Sequence, residues 1–488
     1  MKKLFSLILL LPLSYMGFTQ TLKVSYSPDI FKEAFSGRVV VYLSKDQKEP
    51  KDQGIGFVTF PCFAMDVTNI EPGESVIFDD KAISFPTTLS NIERGTYYIQ
   101  AVWDRNLGGR AIAQSPGNLF NTSQTITLTK NYEVVFEVVA NTMVPEKEPF
   151  IENDYVKAIE IPSTLLSDFH GQDFSLKAAV LLPEAYYSEP EKEFPVLYRV
   201  YGYGGDYMFM SGRKEPAELL DDIPVIQVIL DGNCALGHSV YANSDNNGPW
   251  GDALTQELIP AIEKRFRGNG TRLLRGHSSG GWTVLWLQTQ YPKVFHGTWS
   301  SAPDPVDFES FQRINIYEDT NMFYDAKGDL RLVSTVAGAI PWGYMKTIYN
   351  LEYVVYRGEQ MRSFDAVFSG KDANGWPYSI CNVETGKIDP EVVNQWSRYN
   401  ITKYLLEHWD SIKEDLQGKV RVSVGNQDNF LLNHAVRSMD EKIKALQTGF
   451  EFAYYPGDHF TVFRLDDYVP DATAFLKQKL LEHENSRN

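Results

Sequence analysis

The sequence predicts an α/β fold, a doubly wound and mostly parallel sheet with a cap-like insertion, preceded by an N-terminal all-β sandwich. Short alternating segments fill the first part of the chain, and strand and helix patterns alternate in the rest. A glycine-rich turn joins a buried strand to a helix in the middle of the alternating part. At 488 residues, 43% hydrophobic and 22% charged, the chain has apolar material for two unequal domains.

The first twenty residues read as a secretory signal peptide. Lys2 and Lys3 are followed by an apolar run from Leu4 to Met16 and then by Gly17, Thr19 and Gln20. Export to the periplasm or beyond the cell is therefore expected. No Cys near the expected cleavage site suggests a lipid anchor, and no later stretch reaches the ~18 apolar residues of a membrane span.

Residues 21–145 are assigned to the sandwich. Candidate strands are Leu22–Tyr26, Gly37–Leu43, Ser75–Phe78, Gly95–Trp103, Thr125–Leu128 and Tyr132–Phe136, several alternating apolar and polar positions. A structural accessory role and sugar binding through exposed aromatics both fit this domain. The proline-punctuated stretch from Asn141 to Phe150 marks the boundary, and the α/β domain is placed at 150–488.

Two antiparallel strands, Val156–Ile161 and Ser175–Leu182, open that domain. Val196–Val200, Val225–Leu230, Arg272–Leu274, Thr298–Ser300 and Val420–Val424 follow as strands of a parallel sheet. The clearest helix runs from Asp252 to Arg267 and sets Leu254, Leu258, Ile262 and Phe266 on one face, with Pro260 expected to cost a hydrogen bond or kink it. Residues 304–409 form the cap-like insertion, rich enough in aromatics to line a pocket or to build a small core.

Charge and cysteines exclude other classes. Lys plus Arg total 46 against 63 Asp plus Glu, a formal charge of −17, which repels phosphate backbones and anionic lipids, so nucleic acid is not an expected partner. Cys62, Cys234 and Cys381 are too few for a disulfide framework or a zinc pattern. One bridge, Cys234 to Cys381, is conceivable, whereas Cys62 reads as packing.

Gly276-His277-Ser278-Ser279-Gly280-Gly281 fits the nucleophile elbow G-x-S-x-G. Small residues flank a serine whose hydroxyl is exposed by a tight strand-to-helix turn. Serine needs a base and an acid that orients the base, and both follow it in this topology. His459, in the loop after the Phe450–Tyr454 strand, is the candidate base, in preference to His483 in the charged terminal helix. Asp428, after the Val420–Val424 strand, is the candidate acid; Asp304 is the alternative, and Asp458 reads as loop structure. Backbone amides of Ser279 and Tyr203 are the candidate oxyanion donors. Asn246, Asn247, Trp250 and Trp282 are candidate substrate contacts at the site mouth. No metal or other cofactor is assigned.

Phe194–Tyr198, Gly202-Tyr203-Gly204-Gly205, Leu230-Asp231-Gly232, Glu257–Pro260 and Gly276–Gly281 together resemble the esterase D and feruloyl esterase-like branch of the α/β-hydrolase superfamily, over about residues 155 to 485. The resemblance implies acyl transfer through a covalent acyl-serine without a metal, on a small ester or an acylated polysaccharide bearing feruloyl or acetyl groups. Tyr201 stands where many relatives carry the His of an H-G-x-G-G turn, a departure that bears on the oxyanion hole. A peptidase or acyltransferase with the same triad, and a noncatalytic carbohydrate-binding protein of this fold, are the competing readings. Oligomeric state is left open.

Overall fold

The computed structural model describes residues 20–53, 59–105, 107–129 and 135–487. Residues 1–19 of the expected signal peptide and the Tyr132–Val134 part of one expected strand lie outside the described residues. The chain packs as two units, one of Met1–Gln53, Phe60–Arg105 and Asn118–Val144, the other of Gly54–Thr59, Asn106–Gly117 and Pro145–Asn488.

In the first unit two sheets face each other. Thr21–Tyr26 pairs antiparallel with Val76–Phe78 and parallel with Val135–Ala140. The larger sheet is built around Phe35–Ser44, flanked by Cys62–Ile70 and Gly95–Asp104. Leu22, Val24 and Tyr26 from one sheet share a buried cluster with Val39, Val41 and Ile99 from the other, which is how a sandwich buries the inward half of each alternating strand. Trp103 closes that core, its ring 4.8 Å from Tyr26 and 4.9 Å from Phe35.

The second unit carries the α/β sheet. Its strands are β1 (Val156–Pro162), β2 (Ser175–Leu181), β3 (Phe194–Val200), β4 (Ile226–Leu230), β5 (Gly268–His277), β6 (Gly297–Ser301), β7 (Val420–Gly425) and β8 (Glu451–Tyr455), in the order β1-β2-β4-β3-β5-β6-β7-β8. β2 runs antiparallel to β1 and β4, and the others pair in parallel. All residues of β4, β6 and β7 are buried, the pattern of strands covered on both faces. The chain winds outward from β3 to β4 and returns to β5 on the other side of β3, so a crevice opens at the carboxyl ends of β3 and β5.

The expected Asp252–Arg267 helix is segmented. A turn at Trp250–Ala253 leads into a π turn at Leu254–Leu258 and then into α1 (Ile259–Phe266), with Pro260 in the first turn of α1. The π turn takes up the hydrogen-bond mismatch that proline imposes, in place of a break. Arg267 ends α1 in the left-handed region at φ 55°.

After β5 comes α2 (Ser279–Gln290). The insertion contributes a hairpin of Leu332–Val336 and Ile340–Tyr344, then α3 (Met345–Val355) and α4 (Gln360–Phe368). Its aromatics are mostly core: Phe308, Phe364, Phe368 and Trp396 share one cluster with Val420, Val422 and Val424 of β7. The segment 304–409 is thus fused to the sheet's own core, and its last residues already belong to α5 (Ile401–Leu416). Two further helices, α6 (Leu432–Ile443) and α7 (Tyr468–Arg487), complete the unit. Cys62, Cys234 and Cys381 are all free and buried, so the conceivable Cys234–Cys381 bridge is not formed. Among the described residues no helix is long and apolar enough to cross a membrane.

Candidate active site

Ser278 is the single residue between β5 and α2, at φ 58° and ψ −126°, a region that costs a residue with a Cβ about 1–3 kcal/mol. The turn is held by its backbone. Ser278 N donates to Ser301 O at 3.0 Å, and its carbonyl accepts from Trp282 N at 3.0 Å and Asp304 N at 3.2 Å. Glycines flank it for want of space: a Cβ on Gly276 would stand 2.0 Å from Gly280 O, and one on Gly280 2.1 Å from Val200 O. A Cβ on Gly202, in the loop after β3, would come within 3.0 Å of the Ser278 Cβ, so the two loops meet at the crevice.

β7 and β8 are parallel neighbours, and their following loops bring Asp428 and His459 together. His459 Nδ1 and Asp428 Oδ2 are 2.7 Å apart, and both residues are buried. Asp428 Oδ1 accepts from the amides of Phe430 at 2.9 Å and Leu432 at 3.3 Å, which fixes the carboxylate. The His459 amide donates to Asn429 Oδ1 at 3.1 Å, while Asn429 is itself tied to Thr335 of the hairpin. Sequence reasoning missed Asn429, whose adjacency to Asp428 was its only signal.

His277 was also missed, although it occupies the x position of the elbow. Its ring centroid lies 4.4 Å from that of His459, which sets the His459 imidazole beside the Ser278 turn. His277 Nδ1 meets Ser301 Oγ at 2.9 Å, and Ser301 Oγ meets Tyr468 OH at 2.6 Å. Burial, with the neighbouring His459 adding to it, pushes His277 down to about 3, so this ring stays neutral beside its neighbour.

Asp304 sits elsewhere in the site. Its Oδ2 accepts from Gln360 Nε2 at 3.1 Å, and that same nitrogen reaches Ser279 Oγ at 3.2 Å. Burial raises Asp304 to about 6. Asp428 is therefore the carboxylate bonded to the imidazole, and Asp304 is part of a Ser279–Gln360 network at the start of α2.

A cavity of about 260 Å³ opens at Ser278, and Tyr203, Asp304, Glu352 and Phe430 share its wall. The Tyr203 hydroxyl is bonded to the Glu359 carboxylate, and the Arg110 guanidinium lies 5.1 Å from the Tyr203 ring centre. The four residues expected to contact substrate are not in the wall. Asn246 is buried with Nδ2 donating to Ser369 O at 2.7 Å, so its amide ties the β4–α1 loop to the insertion. Asn247 is buried, its amide N donating to Ser244 Oγ at 3.0 Å. Trp250 packs edge-on against Tyr241 and Phe174, and Trp282 stacks on Trp286 at 5.2 Å. Large apolar rings at a helix start are core here because the insertion and the β1–β2 region cover that face.

Residues 173–463 match the family model described as "Putative esterase". The chain belongs to this esterase family. It is a carboxylic-ester hydrolase, and its sheet has the α/β order described above. No curated protein matches it. Among solved structures, a ferulic acid esterase is 14% identical and is matched over 67% of this chain and 99% of its own, at a TM-score of 0.39. An S-formylglutathione hydrolase from Agrobacterium tumefaciens is 14% identical over 67% of this chain and 94% of its own, at 0.38. The fluorophosphonate-binding serine hydrolase F of Staphylococcus aureus is 12% identical over 66% and 99%, at 0.37.

Proposed function

We propose that this esterase is an exported enzyme that removes acyl groups, feruloyl or acetyl among them, from polysaccharides or related glycosides. Ser278 Oγ attacks the ester carbonyl, and His459 takes its proton and returns it to the departing alcohol. Water then attacks the acyl-serine, giving a proton to His459, and releases the acid while Ser278 regains its hydrogen. Asp428 holds His459 in the tautomer that leaves Nε2 free to act. The amides of Ser279 and Tyr203 take the oxyanion.

The observation that carries this reading is the 2.7 Å Asp428–His459 pair beside a strained serine that opens on a cavity. The family supports an ester as substrate, and the polar amino-terminal run followed by an apolar one supports export. The test is hydrolysis of short-chain nitrophenyl esters and methyl ferulate by the mature chain beside Ser278→Ala. Turnover that disappears in a folded Ser278→Ala variant is the expected result. Equal turnover in both would overturn the assignment of the nucleophile.

A further inference from the structure

The wall of the cavity at Ser278 is largely apolar, with Val333, Ile348, Met361 and Phe364 among its residues. Its ionisable groups include two carboxyls. Glu352 and Asp304 bring them, and among the described residues no Lys, Arg or His is in the wall. Gln312 adds a buried amide oxygen with no protein partner among the described residues.

Glu352 is the unusual member. It is 2% exposed, and both bonds it accepts, from the amides of Met361 at 2.6 Å and Arg362 at 3.0 Å, fall on Oε2. Oε1 is left to whatever fills the cavity. The neighbouring cations are engaged elsewhere: Arg362 Nη1 binds Asp365 at 2.7 Å and Ser379 Oγ at 2.6 Å, and Arg110 lies over the Tyr203 ring and donates to Gly358 O. A buried carboxyl with no cationic partner is costly, and a ligand that supplies charge and N–H donors removes that cost. A carboxylate ligand would instead meet two carboxyls and no donor cation.

We propose that the portion of the ester filling this cavity carries a protonated amine, whose N–H groups donate to Glu352 Oε1 and Gln312 Oε1. The inference rests on the esterase reading and adds the chemical class of the substrate: esters with a cationic amine, on the acyl or the alcohol side. Burial, with Glu359 adding to it, lifts the Glu352 carboxyl to about 8, as expected of a site whose counter-ion comes with the ligand.

The experiment uses matched esters and the full mature chain, with acid release followed by titration at constant pH. On the acyl side, methyl 6-aminohexanoate is compared with methyl heptanoate and monomethyl pimelate; on the alcohol side, 6-aminohexyl acetate is compared with heptyl acetate. The expected result is a kcat/KM at least about tenfold higher for the ammonium member of one pair, with the pimelate poorest. The pair that shows it assigns the side. In Glu352→Gln, whose amide oxygen still accepts the two backbone bonds, the ammonium-to-alkyl ratio should fall to about one. No ammonium preference in either pair, or a preference that survives Glu352→Gln, overturns the proposal. Calorimetry on Ser278→Ala with the same esters separates the two readings. Tighter binding of the ammonium ester with no wild-type turnover of any ester would sink the esterase reading alone, whereas equal binding of all of them would sink the pocket assignment.

Discussion

His459 has one ring nitrogen held at 2.7 Å by Asp428 and a neutral imidazole, His277, packed 4.4 Å away. In the proposed mechanism the acid both fixes the tautomer and stabilises the imidazolium that forms during attack. Asp428→Asn should therefore keep the fold, because the amide oxygen can still accept from Phe430 and Leu432, yet lower kcat by about 10⁴ through the wrong tautomer. Steady-state kinetics beside a thermal melt check this. Asp304→Asn should cost far less, since Asp304 is bonded to Gln360 and not to the imidazole.

Glu352 sets a residue-scale pH dependence. Its folded-state pKa of about 8 lies above the ordinary glutamate value of 4.5, so over that interval the native chain holds a proton that the unfolded chain has released. The stability this confers is complete below about 4.5 and is lost as pH rises through 8, at up to about 1.4 kcal/mol per pH unit. Asp304, raised to about 6, adds the same sign over the lower part of the range. The Tm is expected to fall from pH 5.5 to 8.5, with a shallower fall in Glu352→Gln. An unchanged slope in that variant would assign the effect to other groups.

At the scale of elements, the site depends on how closely α2 approaches β3 and β5. Gly280 has Val200 O so near that a methyl group would stand 2.1 Å away, and that oxygen is backbone that cannot swing aside. Gly280→Ala is expected to destabilise the unit by about 2 kcal/mol or more and to abolish turnover by displacing Ser278 and the Ser279 amide together. Chemical denaturation with an activity assay tests both. A variant of native stability and full activity would show that the turn is looser than its geometry implies.

Across the second unit, one short segment matters beyond its length. Residues 107–117 precede the boundary read from the sequence, yet they belong to the unit that carries the α/β sheet. Arg110 Nη1 donates to Gly358 O at 2.5 Å, and the buried Arg357 donates to Gly109 O and, at 2.8 Å, to Ala235 O. These bonds brace the chain just before α4, which carries Gln360 and the Tyr203 partner Glu359 stands beside it. A chain beginning at Pro145 should therefore melt several degrees lower than the full chain and lose more activity than Arg110→Ala does. Equal Tm and activity would make the segment dispensable.

The sequence by itself determined the alternation of strand and helix, the position of the elbow, and the chain order of Ser278, Asp428 and His459. Those features are local: a buried strand must be continuously apolar, and a tight turn admits only small neighbours. The tertiary structure alone decided what contact fixes. Asn246, Asn247, Trp250 and Trp282 carry the residue types of a binding surface, but the insertion and the β1–β2 region bury them, and residue type does not record what packs on top. His277 and Asn429 stand next to Ser278 and Asp428 in sequence, but the residue they contact, His459, is distant, as Glu352 is from Ser278, so sequence spacing does not reveal these contacts. Their roles come from parallel strands that bring the loops after β5, β7 and β8 to one edge, and from an insertion whose core is shared with β7.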